Sequence, residues 1–126
     1  MKPEHEAILV EALRRTSRHA RARRPPVWQT WAREIFDAVS AHGPEYHPSR
    51  WFGLLHEHEV KRYRRAIADL EREGLLSTWA RWGRRLSHLR LTSEGEKVAR
   101  ELLGAARLER RKVRAEAQPE AVTDAC

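Results

Sequence analysis

Lys61, Arg62, Arg64 and Arg65 put four cations into a single stretch of the chain. Cations fixed on a helix neutralise phosphates and release the counterions condensed on a nucleic acid. An arginine can also read guanine through its two-pronged donor fork. At about 100° per residue, Val60, Tyr63, Ile67 and Leu70 form one apolar stripe. The opposite face then carries His58, Lys61, Arg62, Arg65, Asp69 and Arg72, with Arg64 on the flank. On this geometry Arg62 and Arg65 point outward most directly and are the expected base contacts. Lys61 and Arg64 are expected to reach phosphates. A second cluster, Arg81, Arg84 and Arg85 around Gly83, has the composition of a turn with cations at its tip. Such a tip can enter or straddle a minor groove. Trp82 beside it either packs under the turn or touches sugar. The plainer alternative is a solvated charged face, which is less attractive because both clusters are basic together.

The elements needed to hold these residues are legible. The periodic stretch predicts a helix over residues 58–73, closed by Gly74 in the left-handed conformation. Residues 75–82 are rich in strand formers, and residues 87–91 alternate apolar and polar as a half-buried strand does. The turn 81–87 between them is basic. Thr92 or Ser93 then caps a new helix, and Ser93 with Glu96 fits a capping box. Val98, Leu102, Leu103, Ala106 and Leu108 give that helix, residues 93–114, an apolar side, interrupted by Gly104.

This order of recognition helix, glycine, two short strands and the Leu91-Thr92-x-x-Gly95 signature resembles the second half of a winged-helix DNA-binding domain, as found in MarR- and PadR-type bacterial transcription regulators. The resemblance is close over residues 57–103 and only general over residues 27–56. It implies a mainly α fold with a small two-stranded β wing, a winged helix-turn-helix with helical extensions at both ends. It also implies that the short helix beginning at Pro48, with Trp51, Leu54 and Leu55 turned inward, crosses the DNA backbone. Ser49 and Arg50 would then contact phosphate. Bulky Trp51 and Phe52 stand where the family keeps small residues at the turn.

Three segments are expected: a basic helix or arm at 1–24, the winged-helix domain with its C-terminal helix at 25–114, and a disordered acidic tail at 115–126. Residues 3–23 read as a helix whose narrow stripe of Ala7, Ile8, Val10 and Leu13 fades into a basic second half. That predicts either a solvated or partly docked helix, or a dimerisation helix or phosphate-following arm. After Pro25-Pro26, residues 27–41 read as a core helix with Trp28, Trp31, Ala32, Ile35, Phe36 and Val39 on one side. The apolar stripe past Leu103 outlasts what one small domain needs, which points to a homodimer through the N- and C-terminal helices. His42, His47, His56 and His58 lack metal-site spacing and read as ordinary surface or turn histidines.

The 126 residues hold 25 Lys and Arg against 18 Asp and Glu, a net charge of +7. The last eleven residues carry three acidic groups and no cation, so the rest of the chain bears +10. That balance favours an anionic partner. The one cysteine, Cys126, builds no disulfide framework or zinc site, and no stretch reads as a signal or membrane span. There is no phosphate loop, nucleophile elbow or paired carboxylate in an apolar setting. The expectation is a cytoplasmic, nucleoid-associated protein that is not an enzyme, needs no cofactor or metal, and binds double-stranded DNA in transcription control. Other jobs on DNA (mobile-element, replication or antitoxin-type), a winged-helix module for protein partners, and RNA binding remain open.

Overall fold

The computed structural model describes residues 1–80 and 86–117. Its elements are α1 (Pro3–Arg21), α2 (Thr30–His42), α3 (Pro48–Phe52), α4 (Glu57–Arg72), β1 (Leu76–Trp79), β2 (His88–Leu91) and α5 (Ser93–Ala117). The fold is mainly helical with a small two-stranded antiparallel sheet.

The core is built around α1. Ile8 and Leu9 are completely buried, with Ala12 and Leu13 beside them, and they share one cluster with Trp51, Ala66, Ile67, Leu70, Leu76, Leu89 and Ala99. Burial of an aliphatic side chain stabilises by about 1.5–3 kcal/mol, so this face holds α1 firmly against α4, α5 and β2. The segment expected to be an arm is therefore structural in its first half. Leu9 and Ala12 complete a wider stripe than Ala7, Ile8, Val10 and Leu13 alone suggested.

With the centre filled by α1, α2 lies outside it. None of its residues is buried, and Trp31 is 75 % exposed, as is Trp28 just before it at 78 %. This corrects the reading of residues 27–41 as a core helix. Polar and ring contacts hold α2 instead. Arg24 grips Asp37 with two hydrogen bonds of 2.9 and 2.7 Å, His19 packs on Phe36 and bonds Ser40, and the His42 ring stacks on Trp79 at 3.8 Å.

The α4 helix ends as its sequence predicts. Gly74 has φ +76°, and the bonds Gly74 N–H to Glu71 C=O and Leu75 N–H to Leu70 C=O form a Schellman closure. β1 and β2 pair Leu76 with Leu91 through Trp79 with His88. On the far side of β2 the segment around Glu45 adds an isolated antiparallel bridge to His88. Gly43 there has φ +91°, and a Cβ on it would collide with the Leu89 carbonyl.

Thr92 caps α5: its Oγ1 accepts the Gly95 N–H at 3.1 Å and donates to the Gly74 carbonyl at 2.6 Å. The Ser93–Glu96 capping box is not the device used; Glu96 turns instead to Arg100. The first half of α5 packs on α1, while every residue from Gly104 to Ala117 is exposed, Ala106 and Leu108 included. The helix runs on through Ala117, which corrects the expected start of the tail at 115; residues 118–126 lie outside the described residues.

Candidate nucleic-acid interface

α4 presents the candidate site because one side of it is anchored three times. Ala66, Ile67 and Leu70 enter the core. The Tyr63 ring meets Phe52 of α3 with centroids 4.7 Å apart. The Glu71 carboxylate accepts both the backbone N–H and the hydroxyl of Thr78 in β1, at 3.0 and 2.7 Å. These contacts fix the helix azimuth and leave His58, Lys61, Arg62, Arg64, Arg65, Ala68 and Arg72 exposed.

Within that face the expected residues divide. Arg65 is exposed and makes no ion pair among the described residues. Lys61 is tethered to Glu57 at 3.2 Å, one turn back on the same helix. His58 is exposed beside Glu59 at 4.0 Å, its ring stacked near that of His56. Arg64 lies on the α3 side, where its charge acts on Tyr46. Arg62 is the correction. It is exposed but lies on the flank nearer α1, where its Nε forms an ion pair with the Glu4 carboxylate at 3.1 Å. Asp69, placed on the outward face by periodicity, is half-buried and accepts from His5 Nε2 at 3.3 Å while also pairing with Arg72. The buried stripe is centred closer to Ala66 and Leu70 than the chosen apolar residues implied, so the outward face shifts toward Lys61 and Arg65.

Two titrations follow from this packing. The hydrogen bond from His5 holds the Asp69 carboxyl below the usual range against the opposing effect of burial, and the Arg72 charge helps. Burial pushes the Tyr46 hydroxyl up to about 12, partly offset by the Arg64 charge.

α3 is short, and Trp51 sits at its buried side, its indole N–H donating to the Glu45 carbonyl at 2.9 Å with the Arg15 guanidinium 5.0 Å from the ring centroid. Trp51 thus fills a core position. Gly53, at φ +65°, ends the helix and supplies the turn into α4. Ser49 and Arg50 are both exposed. Leu54 is buried as expected, but Leu55 is 84 % exposed in the turn before α4, not turned inward. Arg81, Trp82, Arg84 and Arg85, expected in a basic turn, lie outside the described residues.

Glu4 and His5 are the residues that sequence reasoning passed over. Their signal was faint: a buried histidine at the start of an amphipathic helix has no local partner, and Asp69 is 64 residues away. Among the described residues no group of three or more His, Cys, Asp or Glu is arranged to hold a metal ion. No described helix is long and apolar enough to cross a membrane. Comparison of the chain with protein-family models, curated proteins and solved structures finds no match.

Proposed function

We propose that the chain is a winged-helix protein that binds double-stranded DNA through α4, acting in transcription control in the cytoplasm at the nucleoid. The observation that carries this reading is the exposed cationic face of α4, where Arg65 makes no ion pair among the described residues and Lys61 and Arg64 are exposed on the same helix. The winged-helix interpretation is supported by the order of elements: α2, an extended segment bridged to β2, α3, α4, then a hairpin and α5. In that arrangement α4 enters the major groove and α3 braces it with Ser49 and Arg50 near the backbone; the expected contacts of Arg81, Trp82, Arg84 and Arg85 fall on residues outside those described. Arg65 is the preferred base contact. Lys61, Arg64 and His58 contribute charge along the backbone, and Arg62 joins them by exchanging Glu4 for a phosphate or base.

A homodimer is part of the proposal. The N-terminal helix spends its apolar face inside its own chain, which leaves the second half of α5 as the dimerisation element, with Leu108 65 % and Val113 58 % exposed. A two-fold dimer would set two α4 helices about 34 Å apart on a near-palindromic site.

The test is a salt series of binding to random duplex DNA by fluorescence anisotropy, with the Lys61→Ala/Arg65→Ala variant alongside. Wild-type protein should bind with a steep salt dependence. The variant should bind more weakly and discriminate less among sequences, by about 1–3 kcal/mol for a lost base contact. Absence of binding by the wild type at low salt overturns the reading. In that event the exposed Trp28 and Trp31 favour the second reading, a winged-helix module for a protein partner, in which the basic face is unused.

A further inference from the structure

Lys2, the first turn of α1 and α4 from Arg62 to Arg72 line an open hollow of about 290 Å³. Four cations rim it: Lys2 from the N-terminus, and Arg62, Arg65 and Arg72 from α4. Two carboxylates share the rim, and each is already engaged. Glu4 holds Arg62 at 3.1 Å, and Asp69 is shared between His5 and Arg72. Lys2 and Arg65 make no ion pair among the described residues, yet the fold brings them from different elements to the same hollow.

The two carboxylates answer two of the four cations, which leaves an excess positive charge at Lys2 and Arg65 that an anion between them would offset. Two further features favour an anion. The hollow lies at the N-terminal end of a 19-residue helix whose Lys2 cap position offers no side-chain hydrogen bond to the first turn. The positive end of the helix dipole adds to the cations there, shared with Glu4 and Glu6 of the first turn, while Pro3 at its start has no N–H to offer. The volume also has room for a phosphate group with part of its hydration, since a water occupies about 30 Å³ in the liquid.

We infer that this hollow seats one phosphate of the nucleic-acid backbone, so that the N-terminal turn of α1 is part of the DNA-binding surface. The inference rests on the DNA reading above. It is the backbone, and not a free anion, because Arg65 belongs both to the hollow and to the exposed face of α4. A duplex whose groove receives α4 carries its flanking strand past Lys2. In the complex, Lys2 and Arg65 clamp the phosphate, while Glu4 limits how far Arg62 joins them.

Lys2 is exposed and precedes α1, so its replacement leaves the core intact. The experiment compares wild type, Lys2→Ala and Lys2→Glu in the same duplex salt series, and follows the His5 ring signals by NMR during titration with inorganic phosphate. Loss of one phosphate contact lowers the slope of log K against log salt by about 0.9. Lys2→Ala should show that loss equally on every duplex sequence, because backbone contacts carry no sequence information. Lys2→Glu should weaken binding further. If wild type binds with a steep slope and both variants match it, the seat is overturned while the DNA reading stands. If, in addition, inorganic phosphate shifts the His5 signals, the hollow takes free phosphate compounds, which equally overturns the backbone assignment. If wild type does not bind duplex at low salt, both fall together.

Discussion

The Tyr46 hydroxyl is buried and has no hydrogen-bond partner among the described residues, while its ring packs edge-on against Trp51 with centroids 5.1 Å apart. An unpartnered buried hydroxyl costs its desolvation without a compensating bond. Tyr46→Phe should therefore leave stability at neutral pH unchanged, or raise it by up to about 1 kcal/mol. The variant also isolates a pH effect. The folded-state value of about 12 lies above the unfolded value near 10. The associated stability is fully present below about pH 10 and is lost as pH rises toward about 12. Urea midpoints measured from pH 9 to 12 should fall for wild type relative to Tyr46→Phe across that window. Parallel curves would mean that the hydroxyl ionises as freely in the folded chain as in the unfolded one.

Two glycines of α5 illustrate how an element depends on its surroundings. Gly95 is buried against the backbone just before β1, where a Cβ would overlap the Leu75 carbonyl; Gly104 meets nothing within 4 Å. Both occupy helical positions, so propensity alone would favour alanine at each by about 1 kcal/mol. Gly95→Ala should instead destabilise by about 1–3 kcal/mol through overpacking, and Gly104→Ala should stabilise by up to about 1 kcal/mol. Urea denaturation followed by circular dichroism distinguishes the two. The same contrast explains why Leu91-Thr92-x-x-Gly95 could be recognised in the sequence. Thr92 caps the helix and ties it to Gly74, and Gly95 lets the helix approach the strand, so both residues answer to local geometry. The wide burial of α1 answers to nothing local. Its first half is seated by Asp69, Ile67 and Leu89, none of which lies near it in the chain.

At the scale of the whole molecule, the second half of α5 stands apart from the core. Fourteen consecutive residues, Gly104 to Ala117, are exposed and helical, a length of about 20 Å. Isolated helices of this length are marginal in water, so a second copy is the natural support for it. Light scattering after size exclusion should report two chains for wild type and one for Leu108→Glu/Val113→Glu, with the circular dichroism of the core retained. A wild-type mass of one chain removes the dimer from the proposal and leaves the α4 surface as it is.

The sequence by itself determined the elements whose signals are local. α4 and its glycine stop, the hairpin strands, a cap at Thr92 or Ser93 and the cationic character of α4 all follow from periodicity, turn chemistry and capping within a few residues. Tertiary structure decided which amphipathic faces meet. α1 and α2 both carry apolar stripes, and nothing within either helix says which one fills the centre. Once Ile8 and Leu9 occupy it, Trp28 and Trp31 are left outside. That choice also reassigns Arg62, because docking α1 brings Glu4 to its side. Periodicity describes one helix in isolation, whereas the pairing of charges and the filling of a core depend on residues that only the folded chain brings together.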